Sequence, residues 1–218
     1  MVKLNKNERS EQILKAAREE FEHFGYEKAK VSNIATKVGL VEGTIFHRFK
    51  SKRGLVIKVM EQFYAQITTD LQAGLENVEG TRKRIHYCIW FHLNTLMQNA
   101  ALCGVIMTES RKAGQSSLTQ DLRQFNRNYT SLLVKTLQEG IDAGDLRKDT
   151  SIAIARRAIF GTIEHLMWSY ITDASEVDID ASAKELTDFI FYGYGQINGE
   201  RRKEEEVQAL IRKLNELL

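Results

Sequence analysis

The chain has 218 residues and no proline. Proline breaks helix interiors, so its absence leaves every segment free to be helical and suits a chain that is helical almost end to end. Strand signals are missing too: no sustained alternation of apolar and polar residues is bounded by turn residues. No apolar run approaches the ~20 residues that a membrane span needs. The opening stretch MVKLNKNERSEQ lacks the apolar segment of a signal peptide, which sets the expectation of a soluble, cytoplasmic protein. Cys88 and Cys103 are the only cysteines, too few for a disulfide framework, so reduced thiols are expected.

Catalytic signatures are also scarce. There is no Gly-rich phosphate loop and no serine elbow. Cys88 and His92 stand four apart and can share a helix face, but one such pair does not complete a metal site. Glu164-His165 sits in an apolar stretch, where a satisfied core histidine is the plainer reading than a catalytic dyad. The expectation is a protein that is no enzyme, with no metal and no cofactor.

What is present begins with uneven charge. The net charge is only +2, yet the first 60 residues hold 13 Lys+Arg against 7 acids, and the remainder holds 18 against 22. A basic first quarter on a slightly acidic body points to an anion-binding module joined to something else.

Apolar spacing then divides the chain. Ile13, Ala17, Phe21 and Phe24 recur at helical intervals, and Gly25 follows as a stop. Val31, Ile34, Ala35 and Val38 make a second stripe about two turns long. Gly39-Leu40 forms a turn, and Ile45 and Phe49 mark a third short helix. A longer helix runs from Lys52 through Leu55, Val59, Phe63 and Ile67 to about Leu75. Two short helices joined by a glycine turn and braced by their neighbours are a helix-turn-helix. Gly39 supplies a left-handed turn conformation at low steric cost. Gly43 leaves the start of the third helix without a side chain to block a nucleic-acid backbone. With Ile45 and Phe49 turned inward, Glu42, Thr44, Phe46, His47 and Arg48 face outward or along the rim.

The run from Ile34 to Leu55 resembles the signature of the TetR family of bacterial transcription regulators, I-A-x-x-A-G-V-S-x-G-T-[IL]-Y-x-[HY]-F-x-[SN]-K-x-x-L. With the first helix included, the likeness covers about a quarter of the chain. It implies an all-α protein, with an amino-terminal helix-turn-helix three-helix domain and a larger helical ligand-binding and dimerisation domain. The corresponding boundaries are 1–52 and 53–199, with an extra helix over 200–218. It also implies double-stranded operator DNA, palindromic in design, as a partner of a homodimer. Thr44 and His47 fall on base-edge or groove-wall positions, Arg48 on the phosphate or base rim, and Lys52 on the phosphate-contact position, with Ser51 placed to cap the helix that Lys52 opens. Ser32, Glu42, Gly43, Phe46 and Lys50 complete the expected DNA-facing set. The sequence departs from the signature where Phe46 replaces the usual Tyr and Val41 a capping Ser. Lys30 replaces a Thr ahead of the second helix, with Ser32 the expected compensation.

The remaining residues read as further helices. The stretch EGIDAGDLRKDTSIAIARRAIFGTIEHLMWSYI is similar to the acyl-CoA-responsive, fatty-acid-degradation branch of that family. The similarity implies an apolar tunnel for a small-molecule effector, long-chain acyl-CoA being the first choice. Tyr87, Trp90, Phe91, Met97, Met107, Tyr129 and Trp168 are the expected lining. Arg111 is expected at the phosphates, with Arg82, Arg84, Arg123 and Arg127 as further basic candidates. The alternative for each ring and methionine is plain core packing. The last two long helices carry a broad apolar surface, and Phe160, Ile163, Met167, Phe189 and Ile190 are expected at a dimer interface. Val207, Leu210, Leu214 and Leu217 give the tail a 3-4-3 spacing that fits either an extended interface or a fold-back helix. The functional expectation is a ligand-responsive repressor. The competing reading is a helical carrier or scaffold for acyl ligands, whose basic end binds anionic surfaces without specific DNA recognition.

Overall fold

A computed structural model describes residues 6–111, 117–173 and 176–195. Among them are nine helices and no strand. The carboxy-terminal helix expected over 200–218 lies outside the described residues.

The first helix, α1 (Lys6–Lys28), buries Ile13, Leu14, Ala17 and Phe21. Its last turn is set off by a break at Gly25, whose φ of 69° is in the left-handed region. Phe24, expected on the buried stripe, is 45% exposed; it stands directly before the break at Gly25, with the His23 ring edge-on to it at 4.4 Å. The short helices α2 (Val31–Lys37) and α3 (Glu42–Phe49) cross at a turn closed by the Leu40 N–H donating to the Ala35 carbonyl (2.9 Å). Gly39 has φ 65°, and a Cβ built there would meet nothing within 4 Å. The turn therefore requires glycine for its backbone angle and not for space.

Helix α4 (Lys52–Leu75) leaves the head, formed by α1 to α3, and enters the body. The body comprises α5 (Thr81–Gln98), α6 (Ala100–Arg111), α7 (Ser117–Asp142), α8 (Ile152–Asp173) and α9 (Ile179–Tyr194). Helix α4 packs on α1, α5 and α7, while α1 also packs on α6. One apolar core therefore runs without interruption from Ile13 in the head to Ile190 in the body. The caps follow ordinary chemistry: Ser51 Oγ accepts from the Gly54 N–H (3.0 Å) at α4, and Asp178 Oδ1 from the Ala181 N–H (2.9 Å) at α9.

Ile163, Met167 and Ile190, expected at a dimer interface, are fully buried within this single chain. Periodicity marks them as apolar, and the crossing of α5 with α8 and α9 spends them on the internal core. The large exposed apolar side chains on α8 and α9 are instead Ile154, Tyr170, Ile171, Phe189 (63%) and Tyr192 (84%).

Candidate nucleic-acid interface and effector cavity

Helix α3 is amphipathic over its two turns. Ile45 is buried and Phe49 and Arg48 are half-buried, while Glu42, Gly43, Thr44, Phe46 and His47 are exposed together with Lys50 beyond the end. A helix of eight residues is held by packing and not by propensity. Val41, in the N-cap position, makes no side-chain cap and is 72% exposed.

Three ties from α1 hold the two short helices. Glu20 Oε1 accepts from the Lys30 N–H (2.9 Å) and from Asn33 Nδ2 (2.9 Å), which satisfies the start of α2. Ser32 does not perform this capping; a carboxylate from α1 does. Glu19 pairs with Lys37, and the bond from Lys37 holds the Glu19 carboxyl below its usual range. Arg48, expected at the phosphate rim, reaches back to the Ser10 hydroxyl. Its guanidinium thus ties the recognition helix to α1.

Lys52 opens α4 beside the recognition helix. Its Nζ donates to the Glu27 carbonyl (2.9 Å) and lies 5.1 Å from the Tyr26 ring centroid. An ammonium has three donors, so this anchor leaves two for a phosphate. Between α3 and α4, Lys50 has φ 69° and ψ −38°, and the Ser51 N–H donates to the Phe49 carbonyl (2.8 Å). This is a tight three-residue turn in a strained region of backbone space.

In the body, α4 to α8 together line a partly open cavity of about 550 Å³, within the ~300–1,000 Å³ typical of small-molecule sites. Its apolar wall includes Phe63, Tyr64, Leu96, Ile106, Met107 and Phe160. One polar pair sits inside: His92 Nδ1 and the Tyr129 hydroxyl share a hydrogen bond of 3.0 Å, with the Phe160 ring edge-on to the imidazole at 4.8 Å. Burial pushes the His92 imidazole down to about 3, so it is neutral at physiological pH. Cys103 also lines the cavity, and burial pushes its thiol, like that of Cys88, up to about 12. Neither thiol is a nucleophile in that state. Arg123 of α7 and Arg156 and Arg157 of α8 line the cavity and form no hydrogen bond or ion pair with the described residues.

Of the expected lining residues, the structure brings Met107 and Tyr129 to this cavity. Phe91 lines a separate crevice of about 770 Å³ between α1, α4 and α5. Tyr87 instead packs its hydroxyl against Gly74, where α5 crosses α4. The Trp90 indole N–H donates to Asp180 of α9 (2.8 Å), and its ring stacks on Tyr87. Met97 packs against the core, and neither it nor Trp168 lines the cavity or the crevice. The side chain of Arg111 lies outside the described residues. Phe160, expected at a dimer interface, lines the cavity. His92, Arg156 and Arg157 also line the cavity and were not among the expected lining residues; the adjacent Arg156 and Arg157 on a largely apolar helix are the sequence signal for them. Arg82 pairs with Asp188, and Arg84 donates to the carbonyls of Leu75 (3.0 Å) and Val78 (3.3 Å).

Comparison with known proteins bears on both sites. A sequence profile described as "Bacterial regulatory proteins, tetR family" matches residues 13–59, and one described as "YsiA-like protein, C-terminal region" matches residues 57–193. The chain is 25% identical over 182 residues to the fatty acid metabolism regulator protein of Bacillus subtilis, covering 84% of this chain and 93% of that one. It is 22% identical to the transcriptional repressor KstR2 of Mycolicibacterium smegmatis, over 71% of this chain and 75% of that one. A crystal structure of the regulator FadR from Bacillus subtilis in complex with stearoyl-CoA superposes with a TM-score of 0.75 at 25% identity, over 83% of this chain and 96% of that chain.

Proposed function

This chain belongs to the TetR family of bacterial regulatory proteins, and from that premise we propose that a long-chain acyl thioester of coenzyme A is the effector that releases it from its operator. As a family member it is a ligand-responsive, DNA-binding transcriptional repressor that acts on operator DNA as a dimer. The carrier reading is not favoured, because the matched helix-turn-helix is complete, with an exposed recognition face.

The observation that carries the effector reading is the cavity. Its apolar wall suits an alkyl chain, and three arginines that make no hydrogen bond or ion pair among the described residues offer charge to an anionic head group. The relative crystallised with stearoyl-CoA supplies the chemical class. Residues 1–52 serve as the reading head and 53–199 as the ligand-binding and dimerising body. On the head, Thr44 and His47 read base edges, while Gly43 permits close approach and Phe46 offers its ring to a thymine methyl. Glu42 and Ser32 stand at the rim, and Lys50 and Lys52 meet phosphates. The chemistry is binding and release, with no catalytic step.

Calorimetric titration with stearoyl-CoA tests this reading. Wild type is expected to bind, and Arg156→Gln combined with Arg157→Gln is expected to weaken binding by at least about tenfold, on the scale of two lost charged contacts. Failure of the wild type to bind stearoyl-CoA would overturn the effector assignment.

A further inference from the structure

We propose that Arg18 of α1 is the positioning residue through which occupancy of the cavity reaches the DNA-reading head. The proposal rests on the cavity being the effector site.

Phe63 and Ile67 of α4 line both the five-helix cavity and the crevice on the α1 side. Both are 7% exposed, so they form the partition between the two spaces. On the crevice side, the Arg18 guanidinium carbon lies 5.8 Å from the Phe63 ring centroid, within cation–π range. A ligand that displaces the Phe63 ring therefore acts on a charged group of α1 directly.

A second route meets the first at the same side chain. Arg18 Nη2 donates to Asn99 Oδ1 (2.6 Å), across 81 residues of sequence. Asn99 ends α5 and is fixed by its own Nδ2 donating to the Thr95 carbonyl (2.8 Å). The next helix, α6, contributes Cys103, Ile106 and Met107 to the cavity wall. Arg18 Nε is held by Glu22 Oε1 (2.7 Å), which orients the planar fork toward the body. Arg18 thus touches the two body elements that a cavity ligand displaces, α4 and the α5–α6 corner.

The output side is equally specific. Helix α1 carries Glu20, which caps α2, Glu19, which pairs with Lys37, and Ser10, which holds Arg48 of the recognition helix. A small rotation of α1 therefore carries α2 and α3 with it. A double-mutant cycle between Phe63 and Arg18 measures this coupling directly.

The first arm needs no effector. Operator affinity is measured for wild type, Phe63→Leu, Arg18→Gln and the double variant. The expected result is that the double variant departs from the product of the single effects by at least about threefold. Effects that multiply within about twofold would overturn the proposal. The second arm adds stearoyl-CoA. Arg18→Gln is expected to bind stearoyl-CoA within about threefold of wild type yet lose most of a release effect on the scale of ~5–150-fold. Asn99→Ala, which removes the acceptor and keeps the arginine, is expected to behave the same way. Arg18→Lys, which keeps the charge without the fork, is expected to retain an intermediate response. An undiminished release effect in Arg18→Gln would overturn the proposal. If stearoyl-CoA leaves wild-type operator affinity unchanged, the effector assignment fails and the ligand-free cycle alone decides the role of Arg18.

Discussion

Lys52, Lys50 and His92 each answer to a single-residue measurement. Lys52 is pre-positioned by the Glu27 carbonyl and the Tyr26 ring, with two donors left for a phosphate. Lys52→Ala is expected to weaken binding to all DNA sequences alike and to reduce the slope of log affinity against log salt by about one phosphate's worth. Gel-shift titrations at several salt concentrations check both numbers. Lys50 has a positive φ that L side chains rarely adopt. Lys50→Gly is expected to stabilise the fold by about 1 kcal/mol in urea denaturation, while operator affinity falls at low salt through the lost charge. His92 is neutral in the fold because burial depresses its pKa to about 3, whereas an unfolded chain protonates near 6.5. Its contribution is therefore fully present above pH 6.5 and is lost as pH falls from there toward 3. The loss is on the order of 2 kcal/mol by pH 5. His92→Gln is expected to flatten that part of the stability profile between pH 7 and pH 5, measured by urea denaturation of both proteins.

Among the elements, α8 and α9 carry the assembly prediction. Phe189 and Tyr192 are exposed one turn apart on α9, and we propose that this pair meets the partner in the dimer. Phe189→Glu with Tyr192→Glu is expected to give helical monomers by light scattering at micromolar concentration. Ile163→Asp is expected to unfold the chain instead, because Ile163 is fully buried in the protomer's own core. The contrast shows what the sequence reveals. The helix-turn-helix was legible because its signals are local: Gly39 at the turn, Ile34 and Ala35 on one face, Ile45 and Phe49 on the next, and Ser51 before α4. The cavity was not, because its walls come from five helices whose crossings decide which side of α5 faces inward. Tyr87, Trp90 and His92 lie within two turns of one another, yet only His92 reaches the cavity. Likewise, apolar spacing places Ile163 and Phe189 in the same class, and only the packing of α8 and α9 separates an internal core residue from a surface one.

Over the whole molecule, head and body share one continuous core, with α4 crossing between them and α1 packed against both α4 and α6. A change in the cavity therefore has short mechanical routes to the recognition helices. In a twofold dimer those helices are expected in successive major grooves ~34–36 Å apart, or a modest multiple or extension of that, so a modest shift in either head is enough to spoil the fit. An effector achieves this only by favouring the arrangement that does not fit DNA. The most direct measurement is operator affinity of the intact protein with and without saturating stearoyl-CoA, in one buffer at fixed salt. The predicted result is a fall in affinity on the scale of ~5–150-fold, reversed when stearoyl-CoA is removed. Unchanged operator affinity in a preparation shown by calorimetry to bind stearoyl-CoA would contradict the account.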